Sequence, residues 1–145
     1  MNTSKPTTTT PLPAAAVLHA YDARGTILLV EDDRSVRRYL EVILNRAGFN
    51  VITAADGLEA MKVALASPID AVVTDAIMPN LNGHELCRFL RRHPKLSCLP
   101  VILLSGLQTA ESARDAESGA DVYLAKPVRP KELTLSLGRL LLNAA

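Results

Sequence analysis

From residue 26 onward, short apolar runs alternate with longer stretches in which apolar side chains recur at helical spacing. The run TILLV at 26–30 is apolar on both faces, as a central strand of a parallel sheet must be. Further strands are predicted at 50–54, 71–74, 99–104 and 121–125. Between them the spacing predicts helices over 35–47, 57–66, 84–92 and 109–118, and a last helix over 130–143. The first turns Val36, Leu40, Ile43, Leu44 and Ala47 inward and stops at Gly48; the second turns Leu58, Met61 and Leu65 inward. The 109–118 helix has mostly alanines on its apolar face and is expected to be the most weakly anchored. The last opens on Pro130 and buries Leu133, Leu137, Leu140 and Leu141. Five βα units of this kind close as an open parallel sheet with helices on both faces, because right-handed crossovers carry successive helices over the sheet.

Residues 1–25 break the pattern: five threonines and three prolines with no period read as a tail or linker. The mildly apolar stretch at 12–20 carries Pro13 and is closed by His19 and Asp22, so it makes a poor export signal and cannot span a bilayer. Residues 26–145 then form one domain. A net charge of +1 gives no basic excess of the kind nucleic-acid or membrane partners usually require, so neither is expected. Cys87 and Cys98 are not in C-x-x-C spacing and suit reduced structural thiols in a cytoplasmic protein.

In an open parallel sheet, ligands bind at the carboxyl ends of the strands. The polar residues fall there: Glu31-Asp32-Asp33 after strand one, Asp75 after strand three, Ser105-Gly106 after strand four, Lys126-Pro127 after strand five. Three carboxylates and one ammonium at one rim are of no use to a core. The acids repel one another, and one lysine is insufficient compensation. Mg²⁺ is commonly held by carboxylates plus waters and a phosphate oxygen, which suits Glu31, Asp32 and Asp75. With the acids neutralised, the carboxylate of the middle strand can attack phosphorus, and Lys126 and the Ser105 hydroxyl can stabilise the transferred oxygens.

The motifs LLVEDD (28–33), VVTDAIMPNLNG (72–83), PVILLSG (100–106) and GADVYLAKP (119–127), in this order and spacing, resemble the receiver domain of bacterial two-component response regulators. The resemblance implies a flavodoxin-like (βα)5 fold with strand order 2-1-3-4-5. It also implies Asp75 as phosphoacceptor, Lys126 as the phosphate-binding lysine, Ser105 as the switch hydroxyl and Tyr123 as the switch aromatic. Mg²⁺ would be held by Glu31, Asp32, Asp75 and the backbone carbonyl of Ile77. Arg37 matches the arginine that follows the acid pair, and the Lys126-Pro127 bond is expected to be cis. A sensor histidine kinase or histidine phosphotransfer protein would donate the phosphoryl group. A downstream protein would read the face of the fourth helix, fifth strand and fifth helix, and whether phosphorylation drives a homodimer is left open.

Asn82 and Val128 depart from the commonest pattern, where an aspartate and an aromatic stand. Ile77 and Leu107 border the expected route of attacking water, and their apolar character implies slow self-dephosphorylation. Asp33 and Asp56 read as solvated loop acids, His84 and His93 as surface residues, and Arg91-Arg92-His93 with Lys95 as a solvated helix end. An aspartyl-phosphate phosphatase would need an acid where Ile77 stands, and a flavin-binding relative would need a Ser/Thr-rich loop after strand one. A phosphorylation-independent binding module of the same fold, and a receiver fragment of a hybrid sensor kinase or multidomain regulator, are the remaining alternatives.

Overall fold

In the computed structural model, which describes residues 24–106 and 119–144, five parallel strands lie in the order β2-β1-β3-β4-β5. The strands are β1 (Thr26–Val30), β2 (Asn50–Ala54), β3 (Ala71–Asp75), β4 (Val101–Ser105) and β5 (Val122–Ala125). The helices are α1 (Arg34–Arg46), α2 (Gly57–Ala66), α3 (Gly83–Arg92) and α4 (Pro130–Ala144). The helix predicted over 109–118, and Leu107, lie outside the described residues, as does the 1–23 segment. The Lys126-Pro127 bond is cis.

Strand alternation divides the core in two. Ile27 and Leu29 of β1 face one way, with Leu40 and Leu44 of α1 and Leu133 and Leu137 of α4. Leu28 and Val30 face the other, with Ala60 and Ala64 of α2 and Leu86 and Leu90 of α3. Every residue of β3 and β4 is buried, whereas the edge strand β5 leaves Tyr123 and Ala125 exposed. β4 begins two residues later than its apolar run because Pro100 has no N–H for the ladder; its carbonyl accepts from Val72 instead, at 2.9 Å.

Several surface assignments change. In α2, Leu58 and Leu65 are exposed, and Gly57, Ala60 and Ala64 are buried in their place. The two stripes lie side by side on the helix, and the small one wins because it lets the backbone approach its neighbours: a Cβ on Gly57 would stand 2.5 Å from the Leu81 carbonyl oxygen. Val36, in the first turn of α1, is also exposed and lines a cleft with Tyr39. His84 is buried rather than on the surface, since Gly83 seats the first turn of α3 directly on the end of β3.

Arg91 is a structural clamp, not part of a solvated helix end. Its guanidinium donates to the carbonyls of Ser97 (3.1 Å), Leu99 (2.8 Å) and Gly119 (2.9 Å) and to Asp121 Oδ2 (2.8 Å). That same carboxylate oxygen accepts from Val101 N at 2.8 Å, so one side chain ties the end of α3 to the starts of β4 and β5. A planar fork of donors suits this task and a lysine would not. Asp33 and Asp56 do more than face solvent: they cap α1 and α2, accepting from Val36 N (3.0 Å) and Glu59 N (2.8 Å).

Candidate functional site

Each strand delivers its polar residue to the rim at the moment its apolar run ends. Residue 31 follows β1, and the Glu31 amide still donates to Ala54 O at 3.1 Å, which fixes the first acid beside β2. The acid loop is then held from α1: the Arg37 guanidinium donates to the carbonyls of Glu31 (2.8 Å) and Asp32 (3.5 Å). Asp75 is the last residue of β3, paired with Leu104. Lys126 follows β5, its amide donating to Ser105 O at 2.9 Å.

This framework brings Glu31, Asp32 and Asp75 together, with one oxygen from each lying within 4.8 Å of the others. Lys126 Nζ stands 2.8 Å from Asp75 Oδ2 and 3.8 Å from Glu31 Oε1. Glu31 and Asp75 are buried, at 2% and 5% exposure, while Asp32 opens to solvent. Ser105 is buried at the end of β4, and its hydroxyl donates to Gly106 O at 3.2 Å. Ile77 is 60% exposed beside Asp75, its amide 3.5 Å from Asp75 Oδ1. Tyr123, three residues before Lys126 on the edge strand, is 40% exposed and does not join the cluster.

Burial pushes the Glu31 carboxyl up to about 7, and the neighbouring Asp75 charge adds to the rise. The Asp33 amide, 3.0 Å from Glu31 Oε2, and the Lys126 charge oppose it without winning. For Lys126, burial alone favours the neutral amine, yet the hydrogen bond to Asp75 and the surrounding carboxylates outweigh burial and hold its pKa above the ordinary lysine value. The cluster is therefore short of positive charge. Glu31 Oε1 makes that concrete: it is buried and has no hydrogen-bond partner. A hard divalent cation fits such a donor set, because it supplies the missing charge and binds oxygen ligands at partly hydrated sites.

A linked effect on stability follows. Glu31 binds its proton more tightly in the fold than in the unfolded chain, so folding is favoured where it is protonated. Its contribution is lost as pH rises from about 4.5 through 7, a change of roughly 3 kcal/mol. In the absence of divalent metal, the melting temperature of the parent should fall more between about pH 5 and pH 8 than that of Glu31→Gln. Saturating Mg²⁺ should shrink the difference. Equal pH slopes for the two proteins without metal would contradict this reading of the Glu31 environment.

The packing of Gly83 against the end of β3 is not evident from the sequence. A Cβ on Gly83 would overlap the Asp75 carbonyl oxygen, and the Gly83 amide closes the loop by donating to Ala76 O at 2.9 Å. The turn signal Asn82-Gly83 was visible, but not what the glycine packs against. Asn82 itself caps α3 in a reciprocal pair with Glu85, with Glu85 N to Asn82 Oδ1 at 2.9 Å and Asn82 N to Glu85 Oε1 at 3.2 Å. Asparagine serves this role as well as aspartate, which accounts for the departure noted at that position.

The sequence profile of the family described as "Response regulator receiver domain" matches residues 27–137. The transcriptional regulatory protein GltR of Pseudomonas aeruginosa is 37% identical over 120 residues, which cover 82% of this chain and 50% of GltR. This chain thus spans about half the length of the curated relatives it matches. Among solved structures, the signal receiver domain of a signal transduction histidine kinase from Syntrophus aciditrophicus superposes with a TM-score of 0.79 at 34% identity, covering 82% of this chain and 91% of that one. The chemotaxis response regulator CheY4 of Vibrio cholerae gives 0.73 at 30% identity, covering 79% and 97%.

Proposed function

This chain belongs to the response regulator receiver domain family of two-component signalling, and on that footing we propose that Asp75 is its phosphoacceptor. The observation that carries the assignment is the buried Asp75 carboxylate, held at 2.8 Å by Lys126 within a cluster of three acids. A carboxylate oxygen of Asp75 forms the new P–O bond. The donor's P–N or P–O bond breaks, and the leaving group departs with that electron pair. Glu31, Asp32, Asp75 and the Ile77 carbonyl would hold Mg²⁺, which when bound neutralises charge on the phosphoryl oxygens. Lys126 remains within reach of the Asp75 carboxylate and contributes its ammonium to the same oxygens.

A phosphorylated Asp75 carries nearly two negative charges and new acceptor oxygens. The Ser105 hydroxyl, now spent on the adjacent Gly106 carbonyl, is free to exchange that bond for a phosphoryl oxygen. Tyr123, on the exposed side of β5, is the residue whose ring then changes position and reports the state to a partner. Self-catalysed transfer and slow self-dephosphorylation belong to the same reading, supported by the apolar, exposed Ile77 two residues beyond Asp75.

The donor in this reading is a histidine kinase or a histidine phosphotransfer protein. An apolar cleft of about 410 Å³ between α1 and residues 127–128, lined by Val36, Tyr39, Leu40, Leu104 and Val128, opens beside Lys126 and offers such a protein a foothold. A cytoplasmic location agrees with two cysteines held as thiols rather than in a disulfide, one buried and one exposed. No helix among the described residues is long and apolar enough to cross a membrane. Incubation with Mg²⁺ and a small acyl phosphate should add one phosphoryl mass to the intact protein, and a chelator added first should prevent it. A folded, Mg²⁺-binding protein that gains no mass under these conditions would favour a phosphorylation-independent binding module.

A further inference from the structure

The loop from Ala76 to Asn82 carries Ile77 and lies directly against the acceptor, so its position sets the geometry of the site proposed above. It is held at two points by backbone contacts that only glycine permits. At its far end, α3 begins at Gly83, where a methyl group would meet the Asp75 carbonyl carbon at 2.9 Å and Ala76 Cα at 3.0 Å, besides overlapping the Asp75 oxygen. Just before that end, Leu81 rests on the first residue of α2: a Cβ on Gly57 would stand 2.5 Å from Leu81 O, 2.8 Å from Leu81 Cβ and 2.9 Å from its Cδ2. Contacts this close to a backbone carbonyl cannot be relieved by a side-chain rotation.

The rest of the loop is tied correspondingly. Ala76 N donates to Leu104 O at 2.8 Å, Gly83 N closes the ring onto Ala76 O, and Met78 is buried in the α2–α3 core. Asn80 turns the chain with φ of 68°. The α2 end is itself rigid, since Asp56 caps it and the Glu59 carboxylate reaches back to Ala55 N at 3.0 Å. Gly57 touches neither the acid cluster nor Lys126 in any of these contacts.

We propose that the amino end of α2, through the seat of Leu81 on Gly57, is a positioning element for the phosphoacceptor loop. Gly57 and Gly83 act as two stops that hold residues 76–82 in register with the acid cluster. This inference rests on the assignment of Asp75 and Ile77 to the metal and phosphoryl site. It adds a residue on a separate helix, outside the motifs of the rim, that sets how well the site is formed.

The test compares the parent, Gly57→Ala, Leu81→Ala and Leu137→Ala in the full chain. Leu137 is buried in the opposite half of the core, so its truncation lowers stability without touching the loop. Mg²⁺ affinity is measured by calorimetry, and amide hydrogen exchange of residues 76–83 is followed in metal-free protein. Gly57→Ala should weaken Mg²⁺ binding by roughly tenfold and speed exchange across the loop, as outer-shell changes at metal sites do. Leu137→Ala should leave the Mg²⁺ affinity within about twofold of the parent. If Gly57→Ala does not fold, Leu81→Ala, which empties the seat without crowding it, should give the same two changes in smaller measure. A folded Gly57→Ala, or failing that Leu81→Ala, with parental Mg²⁺ affinity and parental loop exchange would overturn the proposal. A parent that binds no Mg²⁺ would instead overturn the metal assignment beneath it.

Discussion

Replacing Lys126 with alanine should slow phosphoryl transfer to Asp75 by roughly a hundredfold while leaving Mg²⁺ binding intact or stronger. The two effects separate because the ammonium plays two parts. Among the described residues it is the cation paired with the cluster's carboxylates, 2.8 Å from Asp75 and 3.8 Å from Glu31, and there it competes with any divalent ion for the same oxygens. Its removal leaves three carboxylates with one oxygen each inside 4.8 Å, a stronger attraction for a cation. In the proposed transfer the same ammonium would face the developing charge on oxygen. Rates of adduct formation and calorimetric Mg²⁺ titrations on parent and variant decide the matter. A variant that transfers at the parental rate, or one that loses Mg²⁺, would show that Lys126 serves the fold or the metal rather than the phosphoryl group.

Gly83→Ala should produce the largest loss of stability of any single methyl addition among the described glycines. The added carbon would collide with the Asp75 carbonyl and crowd Ala76, and all of those atoms are backbone at the end of a central, fully buried strand. Relief requires α3 to move off the sheet, breaking the Gly83 N–H bond to Ala76 and the Asn82–Glu85 cap as it goes. We expect a cost of about 3 kcal/mol and a melting temperature lower by roughly 10 °C. Gly138→Ala is the matched comparison. There a Cβ meets only the tip of the Arg24 side chain, at 2.7 Å, which can swing aside, and alanine is the better helix former. Thermal melts of the two variants should diverge in opposite directions from the parent or nearly so; equal melting temperatures would contradict the packing argument.

The parts of this protein that were legible in its sequence are those governed by period and by strand ends. β1, β2 and α2 fall where their apolar patterns put them, and Glu31, Asp32, Asp75 and Lys126 converge because parallel strands of similar length must end at one rim. What was not legible depends on which atoms meet across the chain. The inward face of α2 could not be chosen between Leu58-Met61-Leu65 and Gly57-Ala60-Ala64 from hydrophobicity, which favours the leucines; the choice was made by how closely the helix approaches Leu81. Arg91 reads as one more base in a charged helix end, yet its carbonyl partners at 97, 99 and 119 lie on loops that no local pattern connects to it. His84 is buried for a similar reason, following the glycine that docks its helix.

Glu31 belongs between these cases. Its place in the acid pair is evident from the motif, but its upward shift is a product of burial at 2% exposure, and the unpartnered Oε1 is a fact of packing alone. The two acids of the pair thus differ in character. Asp32 is exposed and can be hydrated without metal, whereas ionised Glu31 depends on Lys126 or on a bound cation. Metal affinity should accordingly be more sensitive to replacement of Glu31 at neutral pH than charge counting alone would suggest.

One carboxylate, that of Asp75, should receive the phosphoryl group, and the position of the adduct shows whether it does. The protein is phosphorylated with Mg²⁺ and a small acyl phosphate, reduced with borohydride to convert an acyl phosphate into an alcohol, digested, and analysed by mass. The parent should yield homoserine at position 75, and Asp75→Asn should carry no adduct at all. Conversion at Glu31 or Asp32, or an adduct that persists in Asp75→Asn, would contradict this assignment.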